Sequence, residues 1–233
     1  MRLLIVTGAS SGIGRAIVKR FLADDYRVVH CSRRPCPEQG VENIECDLAE
    51  PGAADALGER LLPRLEQAER VCLVHNASVM HRDSIGSLAS GQLRSVLELN
   101  LVAANALNRI AIGQMGPGSS ILYIGSTLAE KAVPGVASYV IAKHALAGMM
   151  RATCQDLAGE GIHTCMICPG FTDTEQLRGL IGGDQAILAA ITSMSAFDRL
   201  IAPEEIAEAV AFAARSPVLN GALIHANLGQ RER

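Results

Sequence analysis

The sequence predicts a single α/β domain, a doubly wound parallel sheet of about seven strands with helices on both faces. Short runs of apolar and β-branched residues alternate with longer stretches of helical periodicity, the pattern of parallel strands joined by crossover helices. A glycine-rich turn follows the first strand directly and opens the first helix. The 233 residues, 49% apolar and 19% charged, hold ample material for one core. No repeat, linker or shift in composition divides residues 1–233, so one domain is the economical reading.

Taken in order, strands are expected near 2–7, 27–32, 42–46, 71–75, 119–125, 162–168 and 221–226, and helices near 13–24, 52–68, 91–113, 138–159 and 203–215. The first strand, Arg2 to Val6, stops at Thr7-Gly8. The first helix turns one face inward through Ile13, Ala16, Ile17, Phe21 and Leu22. The second strand ends in Ser32-Arg33-Arg34 and the third before Asp47-Leu48. The helix over 91–113 carries a polar Asn100 inside the apolar stretch Leu97 to Leu101. Residues 171–200 break the rhythm: Gly179, Gly182 and Gly183 punctuate an apolar insertion that is either a mobile lid over a substrate or a helical hairpin packed on the domain.

Composition closes off several classes. A net charge of −3 and 3% aromatic residues leave neither the basic footprint nor the stacking platforms of a nucleic-acid binder. The apolar start meets Thr7-Gly8 too early for a signal segment, and no 18-residue apolar stretch follows, so a cytoplasmic protein with no membrane contact is expected. Seven scattered cysteines then imply reduced thiols. Cys165-x-x-Cys168 has a metal-like spacing but stands alone on a strand, where residues three apart face opposite ways, so no metal site is expected.

The turn Thr7-Gly8-Ala9-Ser10-Ser11-Gly12-Ile13-Gly14 lets the backbone lie against a pyrophosphate, and the helix start behind it offers free N–H groups. This is a Rossmann-like dinucleotide end. NAD-selective sites place an acid about 20 residues beyond such glycines. Here Ser32, Arg33 and Arg34 stand instead, and two guanidinium forks suit a 2′-phosphate, so NADP(H) is favoured over NAD(H). Asp47, beside Leu48, could bracket an adenine or only cap the following helix.

At the other end, Tyr139 and Lys143 lie one helical turn apart. A cation beside a phenolate would lower the tyrosine pKa and suit the pair to general acid–base work. Only three lysines stand against 18 arginines, so this lysine is not a generic surface charge. Ser126, at the carboxyl end of a strand, can donate to a substrate oxygen or cap a turn. Asn100, if buried, must be hydrogen-bonded, either in a kink that holds a water or in plain helix packing.

Together these residues resemble the short-chain dehydrogenase/reductase family, from the first strand to about residue 226. Thr7-Gly8-x-x-x-Gly12-x-Gly14 matches its cofactor turn and His75-Asn76-Ala77-Ser78 its Asn-Asn-Ala-Gly element. Asn100, Ser126 and Tyr139-x-x-x-Lys143 match its helix asparagine, serine and Tyr-x-x-x-Lys. Pro169-Gly170-Phe171-Thr172-Asp173-Thr174 is similar to its Pro-Gly segment. The resemblance implies Tyr139 as acid/base, Lys143 lowering its pKa and binding the nicotinamide ribose, Ser126 orienting the substrate, and Asn100 holding a relay water. It also implies a cofactor lined by Thr7, Gly8, Ser10, Ser11, Ile13, Asp47, Leu48, Asn76, Ala77 and Thr174. His75 and Ser78 depart from the pattern, and Ser78 adds a side chain where backbone is expected to pass the cofactor. The ending Asn227-Leu228-Gly229-Gln230 departs too, and leaves a homodimer through the helices near 91–113 and 138–159 better supported than a homotetramer.

The expected activity is hydride transfer between NADP(H) and a small-molecule carbonyl or secondary alcohol. A 3-oxoacyl-thioester reductase is the narrower alternative. A catalytically silent dinucleotide-sensing protein is the alternative from another class, but it would need a broken catalytic set, and all four members are present.

Overall fold

The structure, a computed structural model, describes residues 1–231; the last two residues of the expected domain lie outside the described residues. Seven parallel strands form one sheet in the order β3-β2-β1-β4-β5-β6-β7. They are β1 (Arg2–Thr7), β2 (Arg27–Ser32), β3 (Val41–Glu45), β4 (Arg70–His75), β5 (Ser120–Ile124), β6 (His163–Pro169) and β7 (Leu223–Ala226). The order reverses between β1 and β4, the switch point where open α/β sheets bind ligands beyond their carboxyl ends.

The two-residue period of the strands divides the core between two faces. Leu3 and Ile5 join Val29 and Leu73 on one face, where Leu57 and Leu61 of α2 (Ala53–Leu65), Leu107 of α4 (Ala103–Ile112) and Leu146 of α5 (Ala137–Asp156) cover them. Leu4 and Val6 face the other way, under Ile17 and Phe21 of α1 (Gly12–Ala23) and Val210 of α8 (Pro203–Ala214). Cys165 and Cys168 fall in opposite layers, both fully buried, as their spacing on a strand requires. All seven cysteines are free, and among the described residues no group of three or more His, Cys, Asp or Glu could hold a metal.

One predicted element is corrected. The helix expected over 91–113 is three pieces: α3 (Ser90–Leu97), a π-helical turn (Glu98–Val102) and α4. The break falls on Asn100, whose Nδ2 donates to the Val96 carbonyl at 2.9 Å. A helical turn widened by one residue lets a buried side chain reach its partners. The stretch 171–200 holds two short helices, α6 (Glu175–Ile181) and α7 (Gln185–Thr192), with no buried residue in either. They are tied down mainly at their ends. Arg82 donates to the Leu180 carbonyl at 2.8 Å. The Arg231 amide donates to the Met194 carbonyl, and Ala196 to Leu228.

Candidate active site

A cleft of about 1430 Å³ opens along the carboxyl ends of the strands. Gly8, Ser10, Ser11, Gly12, Ile13 and Gly14 form one wall, and Ser32, Arg33, Arg34, Asp47 and Leu48 the outer end. Asn76, Ala77 and Ser78 form the floor, while Ser126, Tyr139, Lys143, Pro169, Gly170, Thr172 and Thr174 surround the far end. Two predicted residues are absent from this lining. Thr7 is 2% exposed, and its hydroxyl accepts from the Asn76 and Ala77 amides at 3.1 and 3.0 Å. Thr7 therefore holds β4 to β1 instead of facing the cleft. Asn100 lines, with Thr7 and His75, a separate cavity of about 10 Å³ below the floor, roughly the volume one water needs.

The glycine turn is built for close approach. Gly8 has φ +68°, and a Cβ there would lie 2.7 Å from the Ala77 Cα. A Cβ on Gly14 would lie 2.5 Å from Asn76 Nδ2 and 2.6 Å from the Gly8 carbonyl. Asn76 uses that amide to hold the turn open, donating to the Thr7 and Gly8 carbonyls at 3.0 and 2.8 Å. At the outer end Arg33, three-quarters exposed, stands 3.9 Å from Asp47. Asp47 accepts from the Ala49 amide at 3.0 Å, closing a turn ahead of α2, which itself starts after Gly52.

At the far end Tyr139 is hydrogen-bonded with the Ser126 side chain. Ser126 also accepts from the Leu128 amide at 3.1 Å, so its capping and cleft-facing readings both hold. Lys143 is 2% exposed and donates to the Ile124 carbonyl at 2.9 Å, with its Nζ 5.3 Å from the Tyr139 ring centre. Burial pushes the Tyr139 phenol up to about 12, against the opposing effect of its Ser126 hydrogen bond. Burial also draws Lys143 down to about 8. In this dry site the cost of charging is the largest influence on each of the two groups.

Sequence reasoning missed Asp83, which caps α5. The Ser138 amide donates to its Oδ1 at 3.0 Å, and the Ser138 hydroxyl donates to its Oδ2. Burial raises the Asp83 pKa, but the Ser138 bonds outweigh it and hold the carboxyl below its ordinary range. No local signal links residues 55 apart. The apolar wall of the cleft, including Met80, Leu128 and Val133 as well as Leu177, Ile187 and Met194, was legible only in its second half.

A family model described as Enoyl-(Acyl carrier protein) reductase matches residues 8–230. The chain belongs to the short-chain dehydrogenase/reductase family. Among similar proteins, the 3-oxoacyl-[acyl-carrier-protein] reductase FabG of Salmonella typhimurium is 28% identical over 244 residues, covering 98% of this chain and 96% of that one. A putative NAD(P) dependent gluconate 5-dehydrogenase from Beutenbergia cavernae, solved with bound NADP, is 29% identical with a TM-score of 0.88, covering 98% of this chain and 96% of that one. A 4-hydroxyisoleucine dehydrogenase complexed with NADH, 23% identical with a TM-score of 0.89 and 98% of each chain covered, shares the fold.

As a short-chain dehydrogenase/reductase the chain is an oxidoreductase. Two of its departures from the pattern are accommodated below the floor. The Ser78 hydroxyl, where the family pattern has glycine, turns away and donates to Asn100 Oδ1 at 2.7 Å, steadying the π-helical turn. His75 is buried and bonded to Asn108 Oδ1 at 2.7 Å, and Asn108 donates on to the Tyr123 hydroxyl. Burial lowers His75 to about 4, so it stays neutral and serves to join β4, β5 and α4.

Proposed function

We propose that this short-chain dehydrogenase/reductase is an NADP(H)-dependent reductase, or a dehydrogenase in reverse, acting on a carbonyl and secondary alcohol pair of mainly apolar character. The observation that carries it is one continuous cleft joining the glycine turn and the two arginines to Ser126, Tyr139 and Lys143. A dinucleotide fits these residues: the space that a Cβ on Gly8 or Gly14 would fill is where backbone must approach a pyrophosphate. When bound, the cofactor supplies or removes a hydride at its nicotinamide ring.

The rest is the work of the chain. The free amides at the start of α1 hold the pyrophosphate, and Arg33 and Arg34 hold the 2′-phosphate. Arg33 is available for this because its contact with Asp47 is long and exposed, a weak pair. Lys143 would hold the nicotinamide ribose, and Pro169, Gly170, Thr172 and Thr174 would line that end. Ser126 donates to the substrate oxygen, and Tyr139, a neutral phenol at pH 7, delivers its Oη proton to that oxygen as it becomes an alkoxide. Asn100, beside the cavity sized for one water, supports proton return. The apolar residues of 171–200 cover the substrate as a lid. A complete acid–base set favours turnover over silent dinucleotide sensing.

FabG is named for 3-oxoacyl thioester reduction, and its likeness over nearly the whole chain favours that narrower reading as the first substrate to try. The half-exposed Val102 next to α4, and the apolar, weakly amphipathic α5, support a homodimer through these helices. No helix of the described residues is long and apolar enough to cross a membrane, and we place the enzyme in the cytoplasm.

Turnover of carbonyl compounds, including a 3-oxoacyl thioester, with NADPH and NADH followed at the nicotinamide absorbance tests this reading; no oxidation or reduction with either cofactor would reject it. Arg33→Asp should move the NADPH/NADH ratio of kcat/KM toward NADH by about 10- to 100-fold, the worth of one charge-assisted hydrogen bond. An unchanged ratio would refute the 2′-phosphate contact. Lys143 is charged below its lowered pKa and neutral above it, so affinity for NADPH should weaken as pH rises through about 8. A Kd for NADPH unchanged to pH 10 would separate the Lys143 charge from cofactor binding.

A further inference from the structure

His30 is a polar residue in the middle of an apolar strand, 1% exposed, that the reaction does not use. Its ring lies between the two parts of the cofactor site. The Ala9 amide, inside the glycine turn, donates to His30 Nε2 at 2.8 Å. An amide can only donate, so Nε2 must carry a lone pair and the proton must sit on Nδ1. Nδ1 lies 2.9 Å from Asn43 Oδ1, to which it donates. The same Asn43 oxygen accepts from the Cys36 amide at 2.8 Å, and Asn43 Nδ2 donates to the Cys36 carbonyl at 3.3 Å. Cys36 is buried in the loop between β2 and β3, two residues beyond Arg34. A second tie fixes the same loop to α1: Glu38 accepts from Arg15 at 2.6 Å and lies 3.7 Å from Lys19.

We propose that His30 is a positioning residue for the dinucleotide, holding the pyrophosphate turn through Ala9 and, through Asn43, setting the loop that carries Arg33 and Arg34. The physical need is plain on both sides. Ala9 N–H is a buried donor that would go unpaired without an acceptor at this place, and His30 on β2 supplies it. The loop is held by the Cys36–Asn43 pair and by the Glu38–Arg15 contact, and of the two only the first runs through His30. One neutral imidazole, with an acceptor on one side and a donor on the other, joins turn and loop. Burial lowers the His30 pKa against the opposing Asn43 bond, which keeps the ring in this uncharged form.

The proposal rests on the NADP(H) reading for its loop half and on dinucleotide binding alone for its turn half. Three variants divide them, each read as Kd for NADPH and NADH by nicotinamide fluorescence and as kcat and KM on a substrate found in the carbonyl trial. His30→Val removes both bonds and should weaken both cofactors by about tenfold or more, the effect of stranding one buried donor, and NADPH several-fold beyond NADH, with KM rising far more than kcat falls. His30→Gln, whose carboxamide offers an acceptor and a donor in the same order, should recover most of that loss. Asn43→Ala, at an exposed position that puts folding at little risk, should weaken NADPH several-fold and spare NADH. Unchanged affinities in His30→Val, no recovery by Gln, or equal losses of both cofactors in Asn43→Ala would each overturn the proposal. Should His30→Val not fold, His30→Gln and Asn43→Ala decide between these outcomes. A wild-type preference for NADH would sink the NADP(H) reading, while the His30 arms would still report on the turn through NADH.

Discussion

Tyr139→Phe is expected to lower turnover by about 10²- to 10⁴-fold, the typical contribution of a positioned general acid, while NADPH affinity stays within about twofold. The substitution removes one oxygen and keeps the ring that packs beside Lys143. Among the described residues no other phenol lines the cleft: Tyr123 is fully buried and bonded to Asn108 and Thr153. Because burial holds Tyr139 near 12, the phenol carries its proton throughout the neutral range. Reduction therefore has its acid ready, whereas alcohol oxidation needs the phenolate and should speed up with every step in pH above neutral. Steady-state kinetics in both directions, with cofactor binding measured separately, checks the claim. Turnover unchanged by the substitution would remove Tyr139 from the mechanism.

Gly14→Ala should damage the same enzyme from the opposite end of the cleft. The new Cβ would sit 2.5 Å from Asn76 Nδ2, 2.6 Å from the Gly8 carbonyl and 2.7 Å from the Ala9 Cα, and none of the three is the free end of a flexible side chain. Asn76 cannot retreat without giving up its bonds to the Thr7 and Gly8 carbonyls. Overpacking of this kind costs about 1–3 kcal/mol, or about 2–10 °C in Tm for a chain of this size. The shifted turn should also bind NADPH at least about tenfold more weakly, because pyrophosphate recognition depends on backbone placed to a few tenths of an ångström. Thermal unfolding with and without NADPH reads both effects. A variant with wild-type Tm and affinity would show that the turn tolerates a side chain and is not the cofactor cradle.

The two regions differ in how openly the sequence displays them. The glycine turn, the Tyr139–Lys143 spacing and the placement of Ser126 at a strand end are short-range patterns, and the structure brings all of them to one cleft. Asn100 was legible as a polar intrusion into an apolar helix, but the π-helical turn that resolves it depends on Ser78, 22 residues away. Asp83, bonded to the start of α5, and His30, behind the glycine turn, left no trace in spacing, since their partners lie 55 and 21 residues off.

By itself the sequence determined the alternation of strands and helices, the glycine-rich turn after the first strand and the residue types at the Tyr139 end of the cleft. Periods of two and of three to four residues, glycine's access to positive φ, and the reach from one helical turn to the next are all local properties of a chain. Only the tertiary structure decided that Tyr139 and Lys143 are dry enough for burial to govern both pKa values, that Thr7 braces β4 instead of facing the cleft, and that residues 171–200 stand over it as two unburied helices. Solvation and packing are sums over neighbours drawn from the whole chain, and the order of residues does not disclose which neighbours those will be.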